Sequence, residues 1–154
     1  MHISLSIGAV FALCGKVYSQ NAWGTYNIRQ VERSGPTLYL GFEGPIPLFQ
    51  DENHQSSQVW NLAPAGEGLV MIQNTETGDY INCGSYGGIC ELKEEGQVFR
   101  ETRRYEDHDI YSIVEQLTSE SLVRAEDGTL SLVRDPDASK PELRLFWLTR
   151  VQCK

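Results

Sequence analysis

Four kinds of short apolar or alternating run recur three times each along the chain, and this repetition restricts the fold more than any other feature. Gly, Pro, Asn or Asp follows several of the runs within three residues, as is typical of strands separated by turns. The runs lie at residues 25–28, 69–72 and 110–113, then 37–40, 78–81 and 121–124, then 45–48, 88–91 and 129–132, and finally 59–62, 98–101 and 145–148. The sequence therefore predicts an all-β protein built from three four-strand units.

Spacing within the units selects the architecture. The aromatic residue of the fourth run, which is Trp60, Phe99 or Phe146, lies 29 to 35 residues after the first run of its unit. Three such units predict a β-trefoil, in which six strands close a barrel, three hairpins cap it and these aromatics fill the capped end. A β-sandwich of evenly spaced strands is the alternative. The stretches 51–57, 101–109 and 135–142 are expected to be long surface loops.

Residues 1–19 have the pattern of a secretory signal peptide. An apolar run at residues 3–13, too short to cross a bilayer, precedes Val17 and Ser19 at a signal-peptidase site. A buried N-terminal strand or helix is the alternative. No second apolar run of membrane length follows, so we expect a secreted, extracellular protein with no membrane partner, whose residues 20–154 form a single β-trefoil domain.

The cysteines of the predicted mature chain are Cys83, Cys90 and Cys153. Three of the six residues between Cys83 and Cys90 are glycines, so this segment is flexible enough for the two sulfurs to meet across a hairpin. We predict a Cys83–Cys90 disulfide, with two separate buried thiols as the alternative, and a free or intermolecular thiol at Cys153. Neither a CxxC spacing nor a nearby His points to a metal or redox site.

Charge and histidine content argue against two classes of function. The chain has 21 Asp and Glu against 13 Lys and Arg, whereas binding along a phosphate backbone needs clustered cations, so nucleic acid is not an expected partner. His54 and His108 lie outside known catalytic motifs. The stretch at residues 106–109 could supply metal ligands, but it is more typical of a solvated loop. We expect a protein that is not an enzyme and that has no metal and no cofactor.

Two segments are candidates for binding. Residues 58–60 match the Gln-x-Trp motif of ricin-type lectin repeats, but a core role for Trp60 is favoured, because a sugar site also needs an exposed aromatic and an Asp in the hairpin of the same repeat. The second segment consists of Gly41, Phe42, Glu43, Gly44, Pro45 and Ile46. Its Phe-Glu pair is expected to be exposed, and its proline stiffens the chain, so it is either an ordinary hairpin or a preorganised recognition loop.

Residues 24–28, 59–62, 110–115 and 145–151 together carry a resemblance to the cospin-type family of small fungal β-trefoil serine peptidase inhibitors. The resemblance covers most of residues 24–151, mainly at core positions. The chain departs from the family in a shorter segment between Tyr39 and Trp60, and in its predicted signal peptide and disulfide.

The resemblance implies reversible inhibition of a serine endopeptidase by a rigid, substrate-like loop of the first repeat, here residues 41–46. Phe42 in the specificity pocket would select chymotrypsin-like enzymes, and Glu43 a glutamyl-specific enzyme. We expect a monomer whose partner is such a peptidase. A carbohydrate-binding lectin of the ricin type, with a glycan as partner, and a secreted effector with neither activity are the alternatives.

Overall fold

The computed structural model describes residues 24–30, 35–84, 88–137 and 139–152, and within these ranges the chain forms twelve strands and no α-helix. The strands are β1 (Gly24–Gln30), β2 (Tyr39–Glu43), β3 (Ile46–Gln50), β4 (Trp60–Gly66), β5 (Leu69–Asn74), β6 (Tyr80–Asn82), β7 (Glu91–Lys93), β8 (Phe99–Tyr105), β9 (His108–Glu115), β10 (Ser121–Arg124), β11 (Leu130–Val133) and β12 (Phe146–Arg150). Short 3-10 turns at Ser56–Gln58 and Pro141–Arg144 precede β4 and β12. Over the same residues, no helix is long and apolar enough to span a membrane.

Six strands close into a barrel. β1 pairs with β4, β4 with β5, β5 with β8, β8 with β9 and β9 with β12, and β12 returns to β1, every pair being antiparallel. The closing pair aligns residues 26–30 of β1 with residues 146–150 of β12. A closed ring is incompatible with two separate sheets, so the alternative β-sandwich is excluded.

The other strands form the hairpins β2–β3, β6–β7 and β10–β11, which meet at one end of the barrel. Main-chain contacts between the hairpins are Leu48 with Thr129, Ile89 with Ser131, and Leu92 with Pro45. Each hairpin therefore contacts the other two, which makes a three-sided cap. Three four-strand repeats, a six-stranded barrel and this cap confirm the predicted β-trefoil.

Residues at corresponding positions of the three repeats fill the barrel. They are Ile28, Ile72 and Ile113, then Leu40, Ile81 and Leu122, and finally Trp60, Phe99 and Phe146, none more than 2% exposed. Trp60 Nε1 donates a hydrogen bond to the Leu40 carbonyl at 2.8 Å, so the polar atom that Trp60 brings into the core is satisfied. The predicted core role of Trp60 is confirmed.

A buried polar side chain ends the first strand of each repeat: Gln30, Asn74 and Glu115. The side-chain oxygens of Asn74 and Glu115 accept hydrogen bonds from main-chain N–H groups two and three residues further on, at 2.6 to 3.3 Å. These bonds replace strand pairing where the chain turns towards the cap.

Two predicted elements differ in the structure. Residues 101–109, expected as a long loop, are the end of β8, a two-residue turn and the start of β9, because pairing continues to Tyr105 and His108. Exposed charged side chains on this hairpin hide the alternation that normally reveals strands. In the run at residues 88–91, Ile89 forms only an isolated bridge before β7 begins at Glu91.

Cys83 and Cys90 form the predicted disulfide and are both buried. The Gln97 side chain supports this turn: it accepts a hydrogen bond from the Cys83 N–H at 2.8 Å and donates one to the Gly84 carbonyl at 2.9 Å. The predicted signal peptide, residues 1–19, and the predicted unpaired thiol of Cys153 lie outside the described residues.

Replacing Trp60 by Phe should lower the free energy of unfolding by about 2 kcal/mol or more, because the Leu40 carbonyl loses its donor and a cavity opens. Urea unfolding followed by far-UV circular dichroism measures the change. The control Leu117→Ala, at a residue 87% exposed, should stay within about 0.5 kcal/mol of the wild type. Equal stability of Trp60→Phe and the control would contradict the core role.

Tyr111 of β9 lies opposite Arg103 of β8 on one side and Phe146 of β12 on the other. Burial raises the pKa of the Tyr111 phenol above its ordinary value, and the Arg103 charge opposes this rise. Because the folded pKa is the higher one, the contribution of Tyr111 to stability is complete below the unfolded pKa of about 10 and is lost as pH rises through the folded value.

Tyr111→Phe should therefore weaken the decline of stability above about pH 10, since the substitution removes the titrating group. Arg103→Met should steepen that decline, because the charge that opposes the raised pKa of Tyr111 is lost. Urea midpoints between about pH 8 and 12 test both variants. Superimposable profiles for Tyr111→Phe and the wild type would refute the assignment.

Candidate binding site

An open cleft of about 360 Å³ lies on the outside of the barrel, between β1, β12 and the β8–β9 turn. Its charged and aromatic lining residues are Arg29, Trp147 and Arg150 from β1 and β12, Asp107 from the β8–β9 turn, and His108 and Asp109 from the start of β9. A concavity with an aromatic ring and a few convergent polar groups is typical of a site for a small ligand.

The floor of the cleft is formed by Arg29 and Trp147. Their chain neighbours Ile28 and Leu148 are buried in the barrel, so strand alternation turns Arg29 and Trp147 outward. The β1–β12 register places these two residues opposite each other, and the guanidinium carbon of Arg29 lies 4.8 Å from the Trp147 ring centroid. The same carbon lies 6.0 Å from the ring of Tyr39 on β2. Two cation–π contacts thus orient the Arg29 side chain.

The β8–β9 turn forms the rim. Arg103 Nε donates a hydrogen bond to the His108 carbonyl at 3.2 Å, and Arg103 Nη2 lies 3.1 Å from Asp109 Oδ1. An exposed ion pair of this kind stabilises a protein by less than about 1 kcal/mol, but it determines where the Asp109 carboxylate lies. Asp107, at the turn itself, is exposed.

Trp147 and Trp60 have different surroundings. The Trp60 indole N–H is bonded inside the core, whereas that of Trp147 has no acceptor among the described residues, and the Trp147 ring is only half-buried. Trp147 therefore presents both apolar surface and an available hydrogen-bond donor at the cleft.

The predicted recognition loop, residues 41–46, is the tip of the β2–β3 hairpin, where Glu43 pairs with Ile46 across a two-residue turn. Gly44 has φ +56°, the conformation that such a turn requires at its first position. Phe42, expected to be exposed, packs partly against the core, because it lies on the same strand face as the buried Leu40.

The exposed part of this tip is Glu43, Gly44 and Pro45, while Gly41 is buried and Ile46 is half-buried. None of residues 41–46 lines the cleft. The role of the segment in binding a peptidase stays a prediction.

Gln58, in the motif that matches lectin repeats, is 1% exposed. It accepts a hydrogen bond from the Asn53 N–H at 2.8 Å and donates one to the Asp51 carbonyl at 2.7 Å. It therefore holds the connection between β3 and β4 rather than facing solvent.

Among the described residues, no group of three or more His, Cys, Asp or Glu side chains is placed to hold a metal ion. Residues 106–109 instead contribute the rim of the cleft. Sequence reasoning missed Arg29 and Trp147. Their outward positions could have been found from strand alternation, but their contact depends on the register between the first and last strands of the barrel.

Comparisons with known proteins support the fold. No protein-family model matches the sequence, and a search of curated proteins finds no match. The structure is similar to the ricin B-like lectin of Macrolepiota procera in complex with lactose (TM-score 0.68, 14% identity, 86% of this chain and 100% of the lectin). It is also similar to ThreeFoil, a designed threefold-symmetric protein (TM-score 0.67, 14% identity, 83% of this chain and 99% of ThreeFoil).

A third similar structure is the endo-β-galactosidase from Clostridium perfringens that releases GlcNAcα1-4Gal (TM-score 0.69, 17% identity). The match covers 84% of this chain but only 33% of the galactosidase. These three likenesses are too low in sequence identity to show more than a shared β-trefoil fold.

Proposed function

We propose that the protein binds carbohydrate, without catalysis, in the cleft between β1, β12 and the β8–β9 turn. The observation that carries the proposal is Trp147, a half-buried ring with an available N–H donor, lying in a concavity beside carboxylate and guanidinium groups. The cleft volume is at the lower end of the range for small-ligand sites, about 300–1,000 Å³, and suits one or two sugar rings.

The chemistry of the lining matches that of a sugar. A pyranose ring has an apolar C–H face that can pack on an aromatic ring, and hydroxyl groups that both donate and accept hydrogen bonds. Asp107 and Asp109 supply acceptors, and Arg29 supplies donors. The similarity in fold to a lectin that binds lactose adds support of a general kind.

The proposed site differs from the one suggested by the Gln-x-Trp motif. Gln58 and Trp60 are both buried, and the β2–β3 hairpin of their repeat has no Asp to accompany its half-buried aromatics Tyr39 and Phe42. The glycan hypothesis therefore depends on the cleft. An extracellular location is part of the proposal, and the Cys83–Cys90 disulfide supports it, because disulfides persist in oxidising compartments.

Trp147→Ala should weaken glycan binding about tenfold or more, since the apolar platform and the indole donor are lost together. A glycan array identifies the ligands, and calorimetric titration measures the affinities. The matched control is Tyr105→Ala, because this aromatic side chain is on the same hairpin as the rim and is 52% exposed but does not line the cleft. Unchanged binding by Trp147→Ala, or no ligand on the array, would refute the proposal.

Inhibition of a serine endopeptidase is the second candidate function, and one observation favours it. The exposed tip at Glu43, Gly44 and Pro45 is held by pairing on both sides, and the Pro45 carbonyl accepts a hydrogen bond from the Leu92 N–H at 2.7 Å. A tip held in this way loses little conformational entropy on binding. Exposure favours Glu43 over Phe42 as the side chain that enters a specificity pocket.

Under this second candidate, the protein should inhibit a glutamyl-specific serine endopeptidase and spare trypsin, chymotrypsin and subtilisin. Glu43→Ala should lower that inhibition at least about tenfold, because the pocket loses its charged ligand. Residual activity in a titrated enzyme panel is the measurement, with Glu94→Ala, at an exposed glutamate outside the tip, as the control. Full activity of every enzyme would count against inhibition and leave the carbohydrate proposal intact.

A further inference from the structure

We infer that the saccharide bound in the cleft carries an acidic group, a carboxylate or a sulfate ester, which pairs with the Arg29 guanidinium. This inference deepens the proposed carbohydrate binding and rests on it. In this arrangement the acid lies on the floor of the cleft, and sugar hydroxyls face the rim.

Arg29 has unusual surroundings for an arginine. Its side chain is partly buried against Trp147 and Tyr39, and its Nε atom is buried without a hydrogen-bond partner. No carboxylate of the described residues lies within 4.0 Å of the Arg29 nitrogens. Buried arginines are ordinarily paired with an acid, and this chain has 21 Asp and Glu. The described residues therefore leave the guanidinium available to an external anion.

The two ring contacts leave the N–H groups of Arg29 without an acid partner in the part of the chain that the structure describes. A guanidinium that lies against aromatic rings uses its flat face, while its N–H groups point outward in the plane. The buried Nε is closed to a ligand, but Arg29 lines the cleft, so a ligand there meets the edge formed by the two Nη groups. Two parallel N–H···O bonds to a carboxylate or to two sulfate oxygens fit the edge, and such charge-assisted bonds are about twice as strong as neutral ones.

The distribution of charge favours an acid at the floor rather than at the rim. Arg29 is the strand-side cation without an acid partner among the described residues, whereas Arg150, which also lines the cleft, lies over the Tyr26 ring. On the rim, Asp109 is already paired with Arg103 at 3.1 Å, which leaves Asp107 as the carboxylate that most directly repels an anion. A ligand whose acid lies against Arg29 and whose hydroxyls contact Asp107 pairs the cation on the floor and donates hydrogen bonds to the carboxylate on the rim.

The test uses matched ligands that differ only in the acid. One pair is a uronic-acid oligosaccharide and its carboxyl-reduced derivative, and the other is a sulfated galactan oligosaccharide and its desulfated derivative. For one pair, the purified protein should bind the acidic member at least about tenfold more tightly, and that preference should shrink as salt screens the charges. The pair that shows the preference identifies the acid as carboxylate or sulfate.

Arg29→Met should abolish this preference, so that the acidic and neutral members bind with similar and weaker affinity, because the charge and the N–H donors are lost together while the methylene packing on Trp147 is kept. Arg29→Lys keeps the charge but loses the planar guanidinium edge, so this variant should retain only part of the preference for the acidic member. The control is Arg100→Met, an exposed arginine of β8 outside the cleft, which should behave as the wild type.

Two results would overturn the inference. If acidic and neutral members bind the wild type equally at all salt concentrations, the acid preference is wrong while carbohydrate binding stands. If no member of either pair and no glycan on an array binds, the proposed function fails and the inference fails with it. The wild-type ligand and salt comparisons decide the matter even if Arg29→Met does not fold.

Discussion

Antiparallel pairing of β1 with β12 is the constraint on which the rest of the structure depends. The barrel junctions β4–β5 and β8–β9 are hairpins, formed by strands that follow each other in the chain, whereas β1 and β12 come from opposite ends of the described chain and align over five residue pairs. This pairing closes the barrel around Trp60, Phe99 and Phe146, and it also sets Arg29 against Trp147. One register therefore determines both the core and the floor of the candidate site.

The threefold arrangement shows what is special about this junction. The positions of Trp147 and Arg29 correspond to Asn61 and Gln73 between β4 and β5, and to Arg100 and Val114 between β8 and β9. Asn61 and Gln73 make a side-chain hydrogen bond at 3.5 Å, a neutral polar contact, and Arg100 faces an aliphatic partner. Of the three junctions, only the closing one combines an aromatic ring with a charge.

Sequence predicted the fold because the barrel core obeys a local rule that repeats. Apolar residues at alternating positions, three times over, identify the strands at Ile28, Ile72 and Ile113 without knowledge of their partners. The site follows no such rule, since the contact of Arg29 with Trp147 spans nearly the whole described chain. The β8–β9 hairpin was missed for a related reason: its side chains beyond Arg103 are solvated, so pairing rather than burial defines its strands.

The threefold symmetry of the inward-facing residues weakens along the barrel, from the capped end to the open end. At the capped end Trp60, Phe99 and Phe146 are all buried aromatics. Two residues further along the same strands, the corresponding residues are Leu62, Glu101 and Leu148, of which the two leucines are buried. After two more residues they are Pro64, Arg103 and Arg150, and all three are exposed. Packing thus constrains the capped end most strongly and leaves the open end free to carry charge. Arg29 lies near the capped end, next to Gln30, but its side chain faces outward, so a change there should alter ligand selection more than folding, whereas a change at the inward-facing Trp60 should do the reverse.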